Sequence, residues 1–331
     1  MKRYSLALSF LVLSLFGLSA LFPAAHAQFG GTEPLAAIVS PQYPRPYQTV
    51  TVIPQSSAFD LAAATVSISV NGTVVAQGSG AEPAYVTVGG PGTAATVTVR
   101  ATTGGQTYTQ TVVLRPADVA LVLEPLSSAH PFYEGGVLVA SEGRLRLVAL
   151  PDLRRSSGVA VSASDLVYTW RNGEQILQSA SGIGKSVLTA SAPVRYRDAT
   201  ISVTVATQDQ SVVAYAETPI APSDPLVRIY RTDPLLGPLF SVALPTRIAM
   251  ATDEESFRAV PYYFAGEPLV GWEVNSVPGG SENTITVRAS GNGAGTALLT
   301  ATARAPVSPS TATASLSVRF GEKRSFGLFG L

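Results

Sequence analysis

The histidines set the first limit on the chemistry of this chain, because an imidazole is the usual general base near neutral pH. There are two: His26 lies near the N-terminus, and His130 is followed by a proline and two aromatic residues. A serine hydrolase would have to use His130 as its base, yet the sequence contains no Gly-x-Ser-x-Gly turn. A zinc site would need three additional carboxylates, because the chain has no cysteine. We therefore interpret His130 as a loop residue and expect no catalytic residues and no enzymatic activity.

Two glycine-containing runs resemble nucleotide-binding loops but lack their surroundings. Residues 179–186 end in Gly-Lys-Ser, as a phosphate-binding loop does, but Ser179 stands where the first glycine is required. Strand-like sequence on both sides leaves no helix whose N-terminus would face a phosphate. Residues 291–295 lead into a strand pattern rather than out of one, which does not fit a dinucleotide-binding motif. We interpret both runs as turns and expect no cofactor.

Calcium is the one metal for which the sequence offers candidate ligands. Asp118 and Asp224 each lie two residues after a proline, at a predicted seam between domains. Calcium takes six to eight oxygen ligands, and no Asp-x-Asp-x-Asp loop occurs. Residues 253–255 form the only acidic triplet, which we interpret as a solvated loop. Asp118 and Asp224 are therefore weak calcium candidates, and we expect no other metal site.

The aromatic residues offer a binding surface rather than catalysis. Trp170 and Trp272, together with Ile68 at the equivalent position, are interpreted as core anchors between sheets. Other aromatic side chains flank prolines or predicted loops, and if exposed on one face they would form a platform for a sugar or a protein. If buried, they would serve packing alone. These residues are Tyr43, Tyr47, His130, Phe132, Tyr133, Tyr262, Tyr263 and Phe264.

Residues 321–331 form an apolar C-terminal tail after the last predicted strand. Phe326, Leu328 and Phe329 have no evident place in a finished sandwich. We expect them to contact a partner, by strand addition or as an apolar plug. The alternative is a terminus that folds back on its own third domain, or an unstructured one.

The elements that must position all these residues are β-strands. Ile68, Trp170 and Trp272 lead three copies of a strand-and-turn pattern at intervals of 102 positions, and an Asn-Gly or Asn-Ser pair follows each. Apolar and small polar residues alternate over short runs, and no stretch shows a helical apolar stripe. The sequence predicts an all-β protein of three tandem β-sandwich domains, spanning residues 33–116, 117–222 and 223–320. Very short linkers predict a stiff or gently bent arrangement.

The N-terminal segment predicts export. Lys2 and Arg3 precede an apolar run, which is followed by Pro23 and an Ala-x-Ala sequence that ends at Ala27. This pattern is typical of a signal peptide over residues 1–27, with cleavage before Gln28. The run approaches membrane-spanning length, so an uncleaved anchor is the alternative. We expect an exported protein that is periplasmic, cell-surface or extracellular.

The composition limits the partners. Charged residues make up 13% of the chain and sum to zero net charge. No basic field is available to attract nucleic acid or an anionic membrane, so neither is expected as a partner. A membrane is expected to hold the chain only through the signal segment, if that segment is not cleaved. Because cysteine is absent, each domain must be stabilised by its apolar core.

The run Tyr168-Thr169-Trp170-Arg171-Asn172-Gly173, with the 102-residue period, resembles bacterial immunoglobulin-like and PKD-type repeats. The chain as a whole is similar to uncharacterised secreted bacterial proteins built from a signal peptide and three such sandwiches. The first domain departs from the pattern, with Ile68 where a tryptophan would lie, and no WDFGDG-like stretch is present. The resemblance implies surface display, adhesion or assembly rather than catalysis.

The function expected from these observations is that of a non-catalytic spacer or adhesion protein that contacts a protein or a glycan at the cell surface. One alternative is a carbohydrate-binding or enzyme-accessory module, which should show a coplanar strip of exposed aromatic residues. Another is a subunit of a surface appendage, which should show an unpaired strand edge and a tail able to complete a neighbour.

Overall fold

The computed structural model describes residues 33–80, 82–131, 133–289, 293–306 and 308–321. Within these ranges the chain consists of twenty-four strands and three short 3-10 helices, which confirms the predicted all-β class. None of the helices in these ranges is long and apolar enough to cross a membrane. The predicted signal segment, residues 1–27, lies outside the described residues, as does the predicted tail apart from Gly321.

The first sandwich consists of two sheets whose alternate residues meet in one apolar core. Val50 and Val52 enter this core from one sheet, and Val97 and Val99 enter it from the other. The strand orders are β1-β2-β5 and β4-β3-β6-β7. The strands are β1 (Leu35–Ser40), β2 (Thr49–Ser56), β3 (Thr65–Val70), β4 (Thr73–Ser79), β5 (Ala84–Thr87), β6 (Ala95–Thr103) and β7 (Gln106–Leu114), with a 3-10 helix at Leu61–Ala63.

The second sandwich has the same two-layer arrangement, with strand orders β13-β9-β8 and β11-β10-β14-β15 and with β12 also paired to β10. Leu145 and Leu147 of one sheet pack against Val203 and Val205 of the other. The strands are β8 (Asp118–Pro125), β9 (Arg144–Asp152), β10 (Val167–Asn172), β11 (Gln175–Ile176), β12 (Gly182–Ile183), β13 (Val187–Ser191), β14 (Ala199–Ala206) and β15 (Val213–Ile220), with 3-10 helices at Ala163–Asp165 and Gln178–Ala180.

The third sandwich has sheets of order β17-β16-β19-β22 and β18-β24-β23-β20-β21. Val227 and Phe257 of the first sheet meet Leu299 and Leu316 of the second in the core. The strands are β16 (Leu226–Asp233), β17 (Gly237–Pro238), β18 (Arg247–Ala249), β19 (Glu254–Tyr262), β20 (Leu269–Val274), β21 (Val277–Gly280), β22 (Thr284–Arg288), β23 (Gly295–Arg304) and β24 (Thr311–Phe320).

Ile68, Trp170 and Trp272 occupy equivalent places in the three cores. They lie on β3, β10 and β20, and each strand pairs with the long strand that begins the closing hairpin of its sandwich. All three side chains are buried, and each belongs to a different apolar cluster. The three cores are therefore separate, as tandem sandwiches require.

The turns that follow these strands are of two kinds. Asn71 and Gly72 both have positive φ angles, as do Asn275 and Ser276, which is the requirement of a type I′ hairpin turn. In both turns the asparagine Oδ1 accepts a hydrogen bond from a backbone N–H of the neighbouring strand, at 2.9 Å. In the second sandwich only Gly173 of the Asn-Gly pair has a positive φ, and β11 after it is two residues long.

Candidate functional site

Each calcium candidate lies beside an arginine. The Asp118 Oδ1 atom is 3.3 Å from Nε of Arg45, which belongs to the first sandwich. Arg195 donates from Nε to Asp224 Oδ1 over 2.6 Å. In the part of the chain that the structure describes, no group of three or more acidic or histidine side chains could hold a metal ion. The two carboxylates therefore serve here as partners of arginine.

The junction between the first and second sandwiches is a close backbone contact. The N–H of Ala117 donates to the carbonyl of Pro44 over 3.2 Å, next to the Arg45–Asp118 ion pair. Gly92 lies against the following sandwich, where a Cβ atom would be 3.0 Å from the carbonyl oxygen of Arg155. The φ of Gly92 is +81°, which also favours glycine. No side chain fits between these two loops.

A polar cleft of about 580 Å³ opens beside this junction. Arg115, Arg155, Asp165 and Asp209 are among its lining residues, so it presents both guanidinium groups and carboxylates. Hydrogen bonds from Thr207 and Ser211 hold the pKa of Asp209 down to about 2, so this carboxylate is charged at neutral pH. The cleft has the chemistry to recognise polar groups of a ligand.

The junction between the second and third sandwiches is stitched by three hydrogen bonds around Ser128. Its N–H donates to the carbonyl of Phe264 over 3.1 Å, and its own carbonyl accepts from the N–H of Tyr263 over 2.9 Å. Its hydroxyl oxygen accepts from the N–H of Phe264 over 3.0 Å. The loop between β8 and β9 thus adds a short antiparallel bridge to the third sandwich.

An aromatic cluster closes over the same junction. Tyr230 on β16 and Tyr262 on β19 are separate from the core of the third sandwich and pack instead against residues of the β8–β9 loop. His130 from that loop meets Tyr133, Tyr230 and Tyr262 edge to face, at centroid distances of 5.3 to 6.1 Å. We call the following six residues the junction cluster: His130, Tyr133, Tyr230, Phe240, Tyr262 and Tyr263.

Hydroxyl pairs satisfy the polar ends of the junction cluster. The hydroxyls of Tyr230 and Tyr262 are 2.7 Å apart, and those of Tyr133 and Tyr263 are 3.1 Å apart. Burial raises the pKa of Tyr262, and the hydrogen bond to Tyr230 raises it further. The bond to Tyr133, with burial, raises the pKa of Tyr263 to about 12. Tyr262 and Tyr263 therefore stay neutral well above physiological pH, which suits a packed interface between domains.

The aromatic residues predicted as a platform are mostly enclosed. Tyr262, Tyr263 and Phe264 are buried, and His130 and Tyr133 are partly buried in the junction cluster. Tyr43 is partly buried as well, and Phe132 lies outside the described residues. Tyr47 is largely exposed, as are Tyr85 and Tyr196. The packing interpretation therefore describes most of the set.

The interpretation of residues 253–255 as a solvated loop is wrong for two of them. Glu254 and Glu255 begin β19, and the side chain of Glu255 is only 6% exposed. It lies on the same face of β19 as Phe257 and Ala259, which points toward the core. It forms an ion pair with Arg231 of β16 at 3.2 Å. This ion pair could not be predicted from the sequence, because Arg231 lies on another strand.

One exposed apolar feature is absent from the predictions made from the sequence. Leu235 and Leu236 are 94% and 79% exposed at the turn between β16 and β17. Asp233 Oδ1 accepts from both of their N–H groups, at 2.8 and 2.9 Å, and these bonds lower its pKa. We call these two residues the leucine tip. The run Asp-Pro-Leu-Leu-Gly could have predicted this feature, because it is a turn sequence with two leucines at its centre.

The leucine tip lies at the end of the third sandwich where the described chain finishes. β16 starts at the junction and reaches this end at Asp233, beside the start of β19. β24 finishes here too, because Arg319 pairs with Ala249, shortly before β19 begins. The predicted partner contacts Phe326, Leu328 and Phe329 lie outside the described residues.

Comparisons with known proteins give no family. No family model matches the chain, and no curated protein matches it. Solved structures that share low identity include the three N-terminal domains of the outer capsid protein Hoc of bacteriophage RB49, at 12% identity, TM-score 0.27, 86% of this chain and 98% of that one. Fibronectin(III)-like modules of Clostridium thermocellum CbhA give 11% identity and TM-score 0.27, over 57% of this chain and 94% of that one. The central fibronectin-III array of RIM-binding protein gives 12% identity and TM-score 0.27, over 88% of this chain and 98% of that one. The sheets described above, and not these likenesses, define the fold.

Proposed function

We propose that this chain is an exported, non-catalytic spacer that holds its three sandwiches in fixed relation and makes contacts at its ends. The observation that carries the proposal is the junction between the second and third sandwiches. Tandem domains joined by a free linker need no cross-junction hydrogen bonds, yet here Ser128 makes three and the junction cluster buries aromatic rings from both sides. Such contacts resist bending, which is what a spacer requires.

The partner in this proposal is a protein or a glycan at the cell surface. The leucine tip supports contact with a protein, because two leucines fixed in a turn resemble an apolar anchor for a partner pocket. Phe326, Leu328 and Phe329, which lie outside the described residues, are proposed as further apolar contacts with the same partner. No nucleic acid is proposed as a partner, because the net charge is zero.

Export and partner contact can be tested separately. A reporter enzyme that is active only after export should gain activity when fused behind residues 1–33, and lose it when residues 1–27 are deleted. The variant Leu235→Ser/Leu236→Ser should keep its fold and lose retention at the cell surface. The paired change Leu150→Ser/Leu269→Ser, at two other exposed leucines, is the control. A silent reporter would overturn export, and unchanged retention would overturn the contact role of the tip.

A glycan-binding role is the second candidate, and the polar cleft at the first junction is the observation that favours it. Arginine and carboxylate groups lining one cleft can bind the hydroxyl and acid groups of a sugar. A glycan array with the whole exported protein tests this role. A bound glycan should be lost in Arg155→Ala and retained in Arg258→Ala, and an array without signal would reject the candidate.

A further inference from the structure

The first sandwich has an open edge. β4 is the outermost strand of sheet β4-β3-β6-β7 and pairs only with β3. The N–H and C=O groups on its other side therefore face outward, and such a row is a template for another strand. The opposite edge of this sheet is less open, because Val112 of β7 and Val39 of β1 line one shared cavity.

β4 lacks three of the devices that usually protect an edge. Charged residues, prolines and short length prevent edge-to-edge pairing in most β-proteins. The seven residues of β4, Thr-Val-Val-Ala-Gln-Gly-Ser, contain no charge and no proline. Val74 and Val75 are 55% and 48% exposed on it.

The strand at the same edge is shorter in the other two sandwiches, which independently indicates that the long β4 edge is specific to the first. The strand in this place is β11 in the second sandwich, with two residues, and β21 in the third, with four residues that include Pro278. A bulge interrupts the pairing of β4 between Ile68 and Ser69, and an equivalent bulge lies between Trp272 and Glu273. β21 continues for one residue beyond the bulge, Gly280, whereas β4 continues for four, residues 76–79. Only the first sandwich keeps a long edge here, within the residues described.

We propose that two copies of this chain pair through β4, antiparallel and about a two-fold axis. Four strands from each copy would then form one continuous sheet, β7-β6-β3-β4 followed by its symmetry mate. A second copy is the fitting occupant because an uncharged strand opposed to itself brings no like charges together. The Phe-Gly-Leu-Phe-Gly-Leu run of the tail fits less well, since glycine at every third position breaks the two-residue alternation of a strand.

Self-association of the whole mature chain, measured by sedimentation velocity, tests this pairing. The mass should double as concentration rises through about 100 µM, because an edge contact of this size is weak. Val75→Lys should weaken association at least about tenfold by placing like charges together. Gln77→Lys, at an exposed position, repeats the test should Val75→Lys fold poorly. Val113→Lys is the matched control, since Val113 has the same 48% exposure as Val75 but lies on β7.

The outcomes separate the possible occupants. The proposal is supported if dimers are lost in both β4 variants. Dimers should be kept in Val113→Lys and in the chain that lacks residues 325–331. A wild-type chain that stays monomeric overturns it, as do dimers that ignore both lysines. Dimers that vanish on deletion of residues 325–331 also overturn it, because the tail would then be the pairing strand. None of these results depends on the spacer role, which is tested by geometry within one copy.

Discussion

The ring of His130, in the second sandwich, stacks on the ring of Phe240, in the third, with centroids 4.5 Å apart and planes 5° from parallel. Three tyrosines surround the same imidazole edge to face. A side chain able to act as a general base is thus used as a flat aromatic contact between domains. The interpretation of His130 as a loop residue is compatible with this place, and the packing alternative for the aromatic set describes it. Its contacts with Tyr230, Phe240 and Tyr262 across the junction could not be predicted from the sequence.

Replacing His130 by alanine should loosen the second junction without unfolding either sandwich. Aromatic pairs contribute about 0.5–1.5 kcal/mol beyond their buried area, so opening of the junction should become about tenfold more frequent. Hydrogen exchange at the amides of Tyr263 and Phe264, which bond to Ser128, measures that opening. Tyr85→Ala, at an exposed aromatic residue of the first sandwich, is the control. Equal protection in His130→Ala and wild type would contradict the role of the stack.

The two tryptophans should differ in cost when changed to phenylalanine. Nε1 of Trp170 donates to the carbonyl of Lys185 over 2.8 Å, whereas Nε1 of Trp272 is buried with no acceptor in the described structure. Both substitutions remove the same volume, but only Trp170→Phe leaves a carbonyl without its donor. We expect it to destabilise its sandwich by about 1 kcal/mol more than Trp272→Phe. Exchange of the core amides of Val203 and Ala301 reports the two sandwiches separately, and equal losses would contradict the expectation.

Removing the partner of a buried carboxylate should be costly. Arg231→Leu leaves the buried carboxyl group of Glu255 without its ion-pair partner, so the free energy of unfolding should fall by up to about 3 kcal/mol. Arg288→Leu breaks the ion pair with the neighbouring Glu254, which is exposed, and should cost less than about 1 kcal/mol. Adding Glu255→Leu to Arg231→Leu should recover most of the loss. Similar denaturation midpoints for Arg231→Leu and Arg288→Leu would refute the distinction.

The second junction should fail at alkaline pH. The pKa of Tyr263 is raised to about 12 in the folded chain, while an unfolded tyrosine titrates near its ordinary pKa of 10.0. The folded state therefore holds the proton more tightly, and stability falls as pH rises from about 10 through about 12. Tyr263→Phe removes this titration, so its melting temperature should decline less across that range. A variant that follows the wild-type decline would rule out the Tyr263–Tyr133 pair as a source.

The sequence was informative about what repeats and uninformative about what meets across a boundary. Val and Thr alternation placed the closing hairpins, because one face of each strand must be buried. The 102-residue interval placed Ile68, Trp170 and Trp272 on equivalent strands, because each interval spans one sandwich. The alternation is a local pattern and the 102-residue interval is a periodic one, so both can be recognised in a single sequence.

The junction cluster could not be read in the same way. Tyr230 and Tyr262 lie on the outward side of their strands, and nothing in their own sandwich indicates that a loop from the preceding sandwich covers them. The Arg231–Glu255 pair is similar, because the two residues are distant in sequence and adjacent only through the pairing of β16 with β19. Long-range partners of this kind have no periodic signature.

A distance measured between the first and third sandwiches tests the central claim most directly. The chain has no cysteine, so Gln106→Cys and Glu282→Cys, both at exposed positions, give a unique pair for spin labels in a protein of residues 28–331. Gln55→Cys with Gln106→Cys, both exposed and within the first sandwich, supplies the width expected from the labels alone. The spacer account predicts one narrow distance distribution for the long pair, with a width close to that of the short pair, and a broader one in His130→Ala. A broad distribution in the wild-type chain would show freely jointed domains and contradict the account.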